Sequence, residues 1–231
     1  QPCVVADPDP PNSLISTLDA LGATTFFINR EWRVVGGEMQ TSSHRRYQLP
    51  DNTGLLPANM GAAIQALEVS GLVKVDQSLV NHLASVRLTG RLSRIQTEDF
   101  EVVLDVAHNV ESVSQLVQFL KDHPVSGKTA AVFGVMGDKP IHDMLILCES
   151  AFDEWHLIDL CDVPRAMSTD RLTEFLKPMG APIHQGAFAD LWQSLMTRVT
   201  TGDRVVVFGS FFSVGEATAY LAAHHYDGEQ H

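Results

Sequence analysis

Long apolar runs are missing from this chain of 231 residues, and no stretch has the length or purity of a membrane-spanning helix. Cysteine is scarce: Cys3, Cys148 and Cys161 are an odd number without framework spacing, which favours a reduced, cytoplasmic setting over a disulfide scaffold. Basic residues are few as well. Sixteen Lys and Arg face 28 Asp and Glu, a net charge of −12, which argues against a nucleic-acid or anionic-membrane partner. Any phosphate must be held locally, by a few arginines, helix N-termini or a metal. No basic and apolar leader opens the chain.

What is present suffices for a real core, at 45% hydrophobic residues. Residue one is Gln, and Gln1-Pro-Cys-Val-Val-Ala6 reads as entry into a buried strand, so the chain looks like the remainder of something longer. Asp7-Pro-Asp-Pro-Pro11 is a rigid turn, after which Asn12 or Ser13 should cap a helix to Leu21, closed by Gly22. Strands are expected at 24–28 and 32–35, with a further one within 44–49. Pro57-Ala-Asn59 leads into a small-residue helix that ends at Gly71. A second helix is expected over 76–88, with Leu79, Leu83 and Val86 on one face. Thr89-Gly90-Arg91 then breaks the pattern, placing a domain boundary between 1–88 and 89–231.

Beyond it the rhythm is regular. Strands are expected at 101–106, 129–135, 155–160 and 204–209, with a weaker one at 182–185. Helical patterns fall at 111–122, 140–151, 168–177, 187–200 and 213–224. Such alternation means an α/β domain with a mainly parallel sheet covered on both faces. There is no internal repeat and no low-complexity segment, and the tail from His224 to His231 is polar.

The most informative stretch is Glu101-Val-Val-Leu-Asp105-Val-Ala-His108-Asn109-Val110. An apolar strand stops on an acid and hands over to a helix, so Asp105, His108 and Asn109 gather at the carboxyl end of the sheet, where open α/β folds place ligands. Asn109 could instead merely cap the helix. Gly127-Lys128-Thr129 imitates a P-loop ending, but position 122 is Asp rather than Gly, and a helix precedes where a strand should. No P-loop is present. Gly134-Val-Met-Gly137-Asp138-Lys139 could approach an anion or be a plain tight connection. Gly209-Ser210 occupies an equivalent strand end. The ten histidines show no ligand spacing, with His156 and His184 among those scattered along the chain. Arg91, beside the expected boundary, suits phosphate or carboxylate recognition, or a hinge ion pair.

Together these strings resemble the C-terminal half of the bacterial folylpolyglutamate synthase/dihydrofolate synthase family, within the Mur ligase superfamily. The resemblance runs through Leu56-Pro-Ala-Asn59, Leu88-Thr-Gly-Arg91, Leu104-Asp-Val-Ala-His-Asn109, Gly137-Asp-Lys139, Asp162-Val-Pro-Arg165 and Val206-Val-Phe-Gly-Ser-Phe211. It implies a Rossmann-like C-terminal domain preceded by a truncated remainder of a P-loop ATPase domain. It also implies ligation dependent on ATP and Mg²⁺: a dihydropteroate or folate carboxylate is phosphorylated, and the amine of L-glutamate attacks the acyl phosphate.

By matching positions, Asn59 resembles the adenine-side contact and Arg91 the phosphate contact. Asp105 resembles the acid that meets ATP from the second domain, and His108 and Ser210 resemble residues near the incoming glutamate. Asp105 and His108 would be the catalytic pair. Two positions depart from the family: Val110 replaces a usual Pro, and Phe212 replaces a frequent His. The P-loop, the Mg²⁺ ligands and most of the pterin pocket are not among these residues, which implies that the chain alone is inactive, needs an N-terminal half as partner, and carries an uncovered apolar sheet face. Two readings remain beside this one: a free-standing, non-catalytic nucleotide- or anion-binding α/β module, and the C-terminal part of a peptidoglycan Mur ligase.

Overall fold

The computed structural model describes residues 1–51, 55–86, 88 and 90–224. Arg87 within the expected 76–88 helix, Thr89 of the Leu88-Thr-Gly-Arg91 string, and the tail from His225 lie outside them. The chain divides into two compact units, Gln1–Arg87 and Leu88–His231. Among the described residues, no helix is long and apolar enough to cross a membrane.

In the first unit, β1 (Pro2–Val5) pairs in parallel with β2 (Thr24–Phe27), and only Val5 and Phe27 of these strands are buried. Helix α1 (Asn12–Ala20) lies between them in sequence. Its N-cap is Pro11, and neither Asn12 nor Ser13 caps it with a side chain, because Pro11 already ends the extended segment and leaves both within the first turn. Strands β3 (Arg33–Val35), β4 (Glu38–Gln40) and β5 (Arg46–Gln48) form an antiparallel sheet. β4 had no counterpart in the sequence reading. Its polar Glu38 and Gln40 flank one fully buried residue, Met39.

Helix α2 (Pro57–Ser70) ends at Gly71 in the left-handed conformation. Its small residues have a packing cause. A Cβ on Gly61 would meet Val34 Cγ2 at 2.7 Å and Trp32 Cζ3 at 2.8 Å. The second helix is shorter than expected: α3 (Gln77–Asn81), capped by the Asp76 side chain, tightens into a 3-10 turn over His82–Ser85. Val80 is its one buried residue. The periodicity of Leu79, Leu83 and Val86 extended the pattern past this change of pitch.

The second unit is a six-stranded sheet built from β6 (Ser93–Gln96), β7 (Glu101–Asp105), β8 (Thr129–Phe133), β9 (Glu154–Ile158), β10 (Ile183–Gly186) and β11 (Arg204–Phe208). Their order is β10-β9-β8-β11-β7-β6, parallel except for the β6 edge. β6 was missed by sequence because Ser93-Arg-Ile-Gln96 carries a single buried apolar residue, Ile95. β7, β8 and β11 are buried at every position, as expected for strands covered on both faces.

Helices α4 (Val110–Asp122), α5 (Ile141–Cys148) and α6 (Thr169–Leu176) pack Val113, Leu116, Leu145 and Leu172 onto one face. Helices α7 (Phe188–Met196) and α8 (Phe211–Ala223) pack Phe188, Trp192, Val214 and Ala217 onto the other. Each fully buried aromatic of this set stabilises the fold by about 2–3 kcal/mol. The expected mainly parallel α/β architecture is therefore realised.

Candidate functional site

β11 is inserted between β7 and β8, so the helix leaving β7 and the helix leaving β11 lie on opposite faces. Diverging connections of this kind open a crevice outside the carboxyl ends of the strands. The register pairs Asp105 with Phe208, which brings the Asp105–Asn109 turn beside Gly209 and Ser210.

Asp105 sits at the last position of β7 and is 6% exposed. Its Oδ2 accepts the Leu92 N–H at 2.8 Å, and its Oδ1 accepts the Ala107 N–H at 2.7 Å. Burial raises its pKa above the ordinary carboxylate value. The two backbone N–H groups, the Arg91 cation and, when it is protonated, the His108 ring oppose that rise without cancelling it. A second strut joins the same segments, as Val106 N–H donates to the Gly90 carbonyl at 2.8 Å. The loop carrying Arg91 is thus sewn to the end of β7. Leu92 takes a left-handed φ of 48° there, an uncommon conformation for a branched side chain.

Arg91 is half-buried, and its guanidinium has no hydrogen bond or ion pair among the described residues. His108 Nδ1 lies 2.7 Å from the Val106 carbonyl. Since a carbonyl only accepts, Nδ1 carries the hydrogen, which leaves Nε2 as the ring's open acceptor whenever the imidazole is neutral. Asn109 is the N-cap of α4: its side chain accepts the Ser112 N–H at 2.8 Å, and Ser112 Oγ completes a capping box. The capping explanation of Asn109 holds.

Ser210 is 4% exposed, and its hydroxyl is engaged as the N-cap of α8. Ser210 Oγ accepts the Ser213 N–H at 3.1 Å, and Ser213 Oγ donates to the Gly134 carbonyl at 2.8 Å. Phe211 and Phe212 at the start of α8 are 65% and 52% exposed, and the Phe211 ring lies 6.1 Å from that of His108. The glycines of both strand ends serve close packing. A Cβ on Gly209 would meet Phe133 Cε2 at 2.6 Å, and one on Gly134 would meet Ser213 Oγ at 2.8 Å. Gly137 N–H donates to the Arg165 carbonyl at 2.7 Å. These bonds favour the tight-connection explanation of Gly134–Lys139.

The structure brings together Arg91, Asp105, His108 and the Ser210 turn. Asn59 lies in the other unit, exposed on the first turn of α2. One cluster escaped the sequence reading. Glu154, His156 and His184 place their ligand atoms within 4.8 Å of one another, correcting the expectation of scattered histidines. The i, i+2 pair was visible in sequence, but its third member is supplied by the register of β10.

Fold and crevice define an open, Rossmann-like α/β domain with a polar ligand edge where α4 and α8 diverge. Residues 90–211 match the family described as Mur ligase, glutamate ligase domain, and the chain belongs to that family. It is 28% identical over 99% of its length to the dihydrofolate synthase/folylpolyglutamate synthase of Escherichia coli, of which it covers 54%. The structure of E. coli FolC in complex with DHPP and ADP superposes with a TM-score of 0.78 at 27% identity, covering 97% of this chain and 54% of that one. The bifunctional enzyme from Yersinia pestis complexed with AMPPNP and Mn ion gives 0.75 at 29%, covering 97% and 53%. A UDP-N-acetylmuramyl-tripeptide synthetase of Limosilactobacillus reuteri matches only 36% of this chain, at 35% identity. The chain spans about half the length of the curated folate relatives that it matches along its full extent.

Proposed function

We propose that this chain forms part of an ATP-dependent amide ligase that joins L-glutamate to dihydropteroate, folate or both through an acyl phosphate. The observation that carries this reading is the Asp105 turn. A buried carboxylate is held by two backbone N–H groups at the sheet's ligand edge, beside a guanidinium without a hydrogen bond and an imidazole anchored through Nδ1 to the Val106 carbonyl, whose Nε2 makes none among the described residues. The near full-length similarity to folate ligases supports the substrate class, and the short match to the tripeptide synthetase gives the peptidoglycan alternative less support.

In this scheme Arg91 meets the nucleotide's phosphates, where a planar fork of donors suits phosphate oxygens. Asp105 holds the Arg91 loop and contacts ATP, and Asn59 meets the adenine side. ATP, escorted by Mg²⁺, supplies the phosphoryl group that makes the carboxylate electrophilic. The glutamate nitrogen then forms the C–N bond as the C–O bond to phosphate breaks, and the proton lost by the amine passes to an acceptor. His108 Nε2 is suited to that acceptor role. The Ser210 hydroxyl acts through α8: by capping the helix it fixes the first N–H groups of α8, which can receive a glutamate carboxylate.

Among the described residues no group of three metal ligands stands at this turn, and no P-loop occurs in the 231 residues. The reading therefore includes an N-terminal half as partner, and it makes this chain alone inactive. Incorporation of labelled L-glutamate tests it. The chain alone should give none, whereas a chimera joining it to the complementary part of the E. coli relative should incorporate label in an Arg91-dependent manner. Glutamate-dependent ATP hydrolysis by the chain alone, or a folded chimera without incorporation, would sink the proposal.

A further inference from the structure

At the amino end of β9, three strands away from Asp105, a second cluster has no part in the reading above. Glu154 and His156 stand two residues apart on β9 and so share one face of the sheet. The parallel register sets His184 of β10 directly beside His156, and the two rings stack with centroids 4.8 Å apart.

His156 is fully buried, yet neither ring nitrogen makes a hydrogen bond. Its Nε2 lies 3.4 Å from Glu154 Oε1, and His184 Nε2 lies 3.8 Å from Glu154 Oε2. Buried imidazoles normally have partners, and one with neither nitrogen hydrogen-bonded, stacked on a second imidazole and with Nε2 3.4 Å from a carboxylate oxygen, lacks something. Arg198 brings its Nη1 to 2.9 Å from Glu154 Oε2 and 3.4 Å from His184 Nε2. A cation is thus already drawn to this spot, on a side chain 41% exposed that can swing into solvent.

We propose that Glu154, His156 and His184 form a binding site for a first-row divalent transition cation such as Zn²⁺. Two imidazoles and one carboxylate are the donor set such ions take, with remaining positions open to water. The ion would satisfy His156 Nε2 and would clip β10, an edge strand of four residues, to β9. Arg198 competes for the site as the guanidinium that the metal displaces.

The probe is Co²⁺, followed by its visible absorption and displaced by Zn²⁺, with the full 231-residue chain. One Co²⁺ per chain is expected, with a rise in thermal midpoint on loading. His184→Ala, at a partly exposed position on the edge strand, should keep the fold by circular dichroism and weaken binding at least about tenfold, the scale on which metal-site substitutions act. Arg198→Ala should tighten binding, which a purely structural role for Arg198 would not produce. Absence of the band, equal binding by wild type and His184→Ala (the signature of ions held by the histidine-bearing tail), or weaker binding by Arg198→Ala would overturn the site.

Discussion

Leu92 donates its backbone N–H to Asp105 Oδ2 at 2.8 Å while held at a φ of 48°, so one carboxylate both ends β7 and fixes the strained loop that presents Arg91. The structural and functional meanings of Asp105 are therefore hard to separate by activity alone. Stability measurements separate them.

Asp105→Asn turns one acceptor oxygen into a donor facing a backbone N–H. Leaving that N–H unpaired in a buried site should cost about 1–3 kcal/mol, read as a lower urea midpoint with unchanged slope. The effect has a pH signature. Burial raises the folded pKa above the ordinary 3.8, so the native state binds the extra proton between those two values. The stability Asp105 contributes is whole below that ordinary value and is lost as pH rises through the folded pKa. The gap between wild type and Asp105→Asn should accordingly narrow as pH rises. A gap that widens would mean the carboxylate is stabilised, not penalised, by its surroundings.

Arg91 supplies part of the opposing pull on the same group. Arg91→Ala should raise the Asp105 pKa further, seen by carbon-detected NMR titration, while changing stability by less than about 0.5 kcal/mol, the range of substitutions that break no buried contact. A large loss of stability would identify Arg91 as a structural hinge residue, the alternative its position had suggested.

Much of this architecture is legible because the second unit repeats one rule. Buried strands such as Val205–Phe208 are uninterrupted apolar runs, and each is followed by a helix of 3.6-residue period. What escaped has a common cause, which is partnership supplied by distant backbone. β6 is a strand because it pairs with β7, not because Ser93-Arg-Ile-Gln96 alternates strongly. Asp105 was recognisable as a strand-end acid, but its tie to Leu92 spans 13 residues and depends on a left-handed turn. His156 and His184 meet only because β9 and β10 are in parallel register. Ser210 was readable as a residue of the turn after β11, but not as the cap of α8 that buries its hydroxyl.

Val110 occupies the first helical position of α4, where no intrahelical bond needs its N–H, and Asn109 before it is extended at φ −142° and ψ 168°. Both conditions suit proline. Val110→Pro should stabilise the chain by about 0.4–1 kcal/mol by restricting the unfolded state. A thermal midpoint that falls would show that the turn needs a conformation other than the one observed.

Cys148 and Cys161 should differ in reactivity with a maleimide reagent followed by mass spectrometry. Cys148 is buried, which pushes its pKa up to about 12, and it should stay unlabelled until the protein unfolds. Cys161 is exposed, but Asp159 first and Asp162 next raise its pKa by disfavouring a neighbouring thiolate. Its labelling should be slow at neutral pH and accelerate more steeply toward alkaline pH than that of a free thiol, because the thiolate is the nucleophile. Rapid labelling of Cys161 at pH 7 would show that those carboxylates do not face it.

Gly209 and Gly180 provide a matched pair for the strand end behind Ser210. Both have positive φ, 108° and 74°, so alanine strains the backbone at either. Only at Gly209 is there also no room, since the added Cβ would meet Phe133 Cε2 at 2.6 Å and the Gly134 carbonyl oxygen at 2.7 Å, whereas Gly180 faces open space. Gly180→Ala should cost about 1 kcal/mol from conformation alone. Gly209→Ala adds overpacking between β8 and β11 and should cost about 2–4 kcal/mol. Equal losses in the two variants would mean that the β8 and β11 strand ends can part easily, and that the close approach linking Gly134, Ser213 and Ser210 does not hold the crevice in shape.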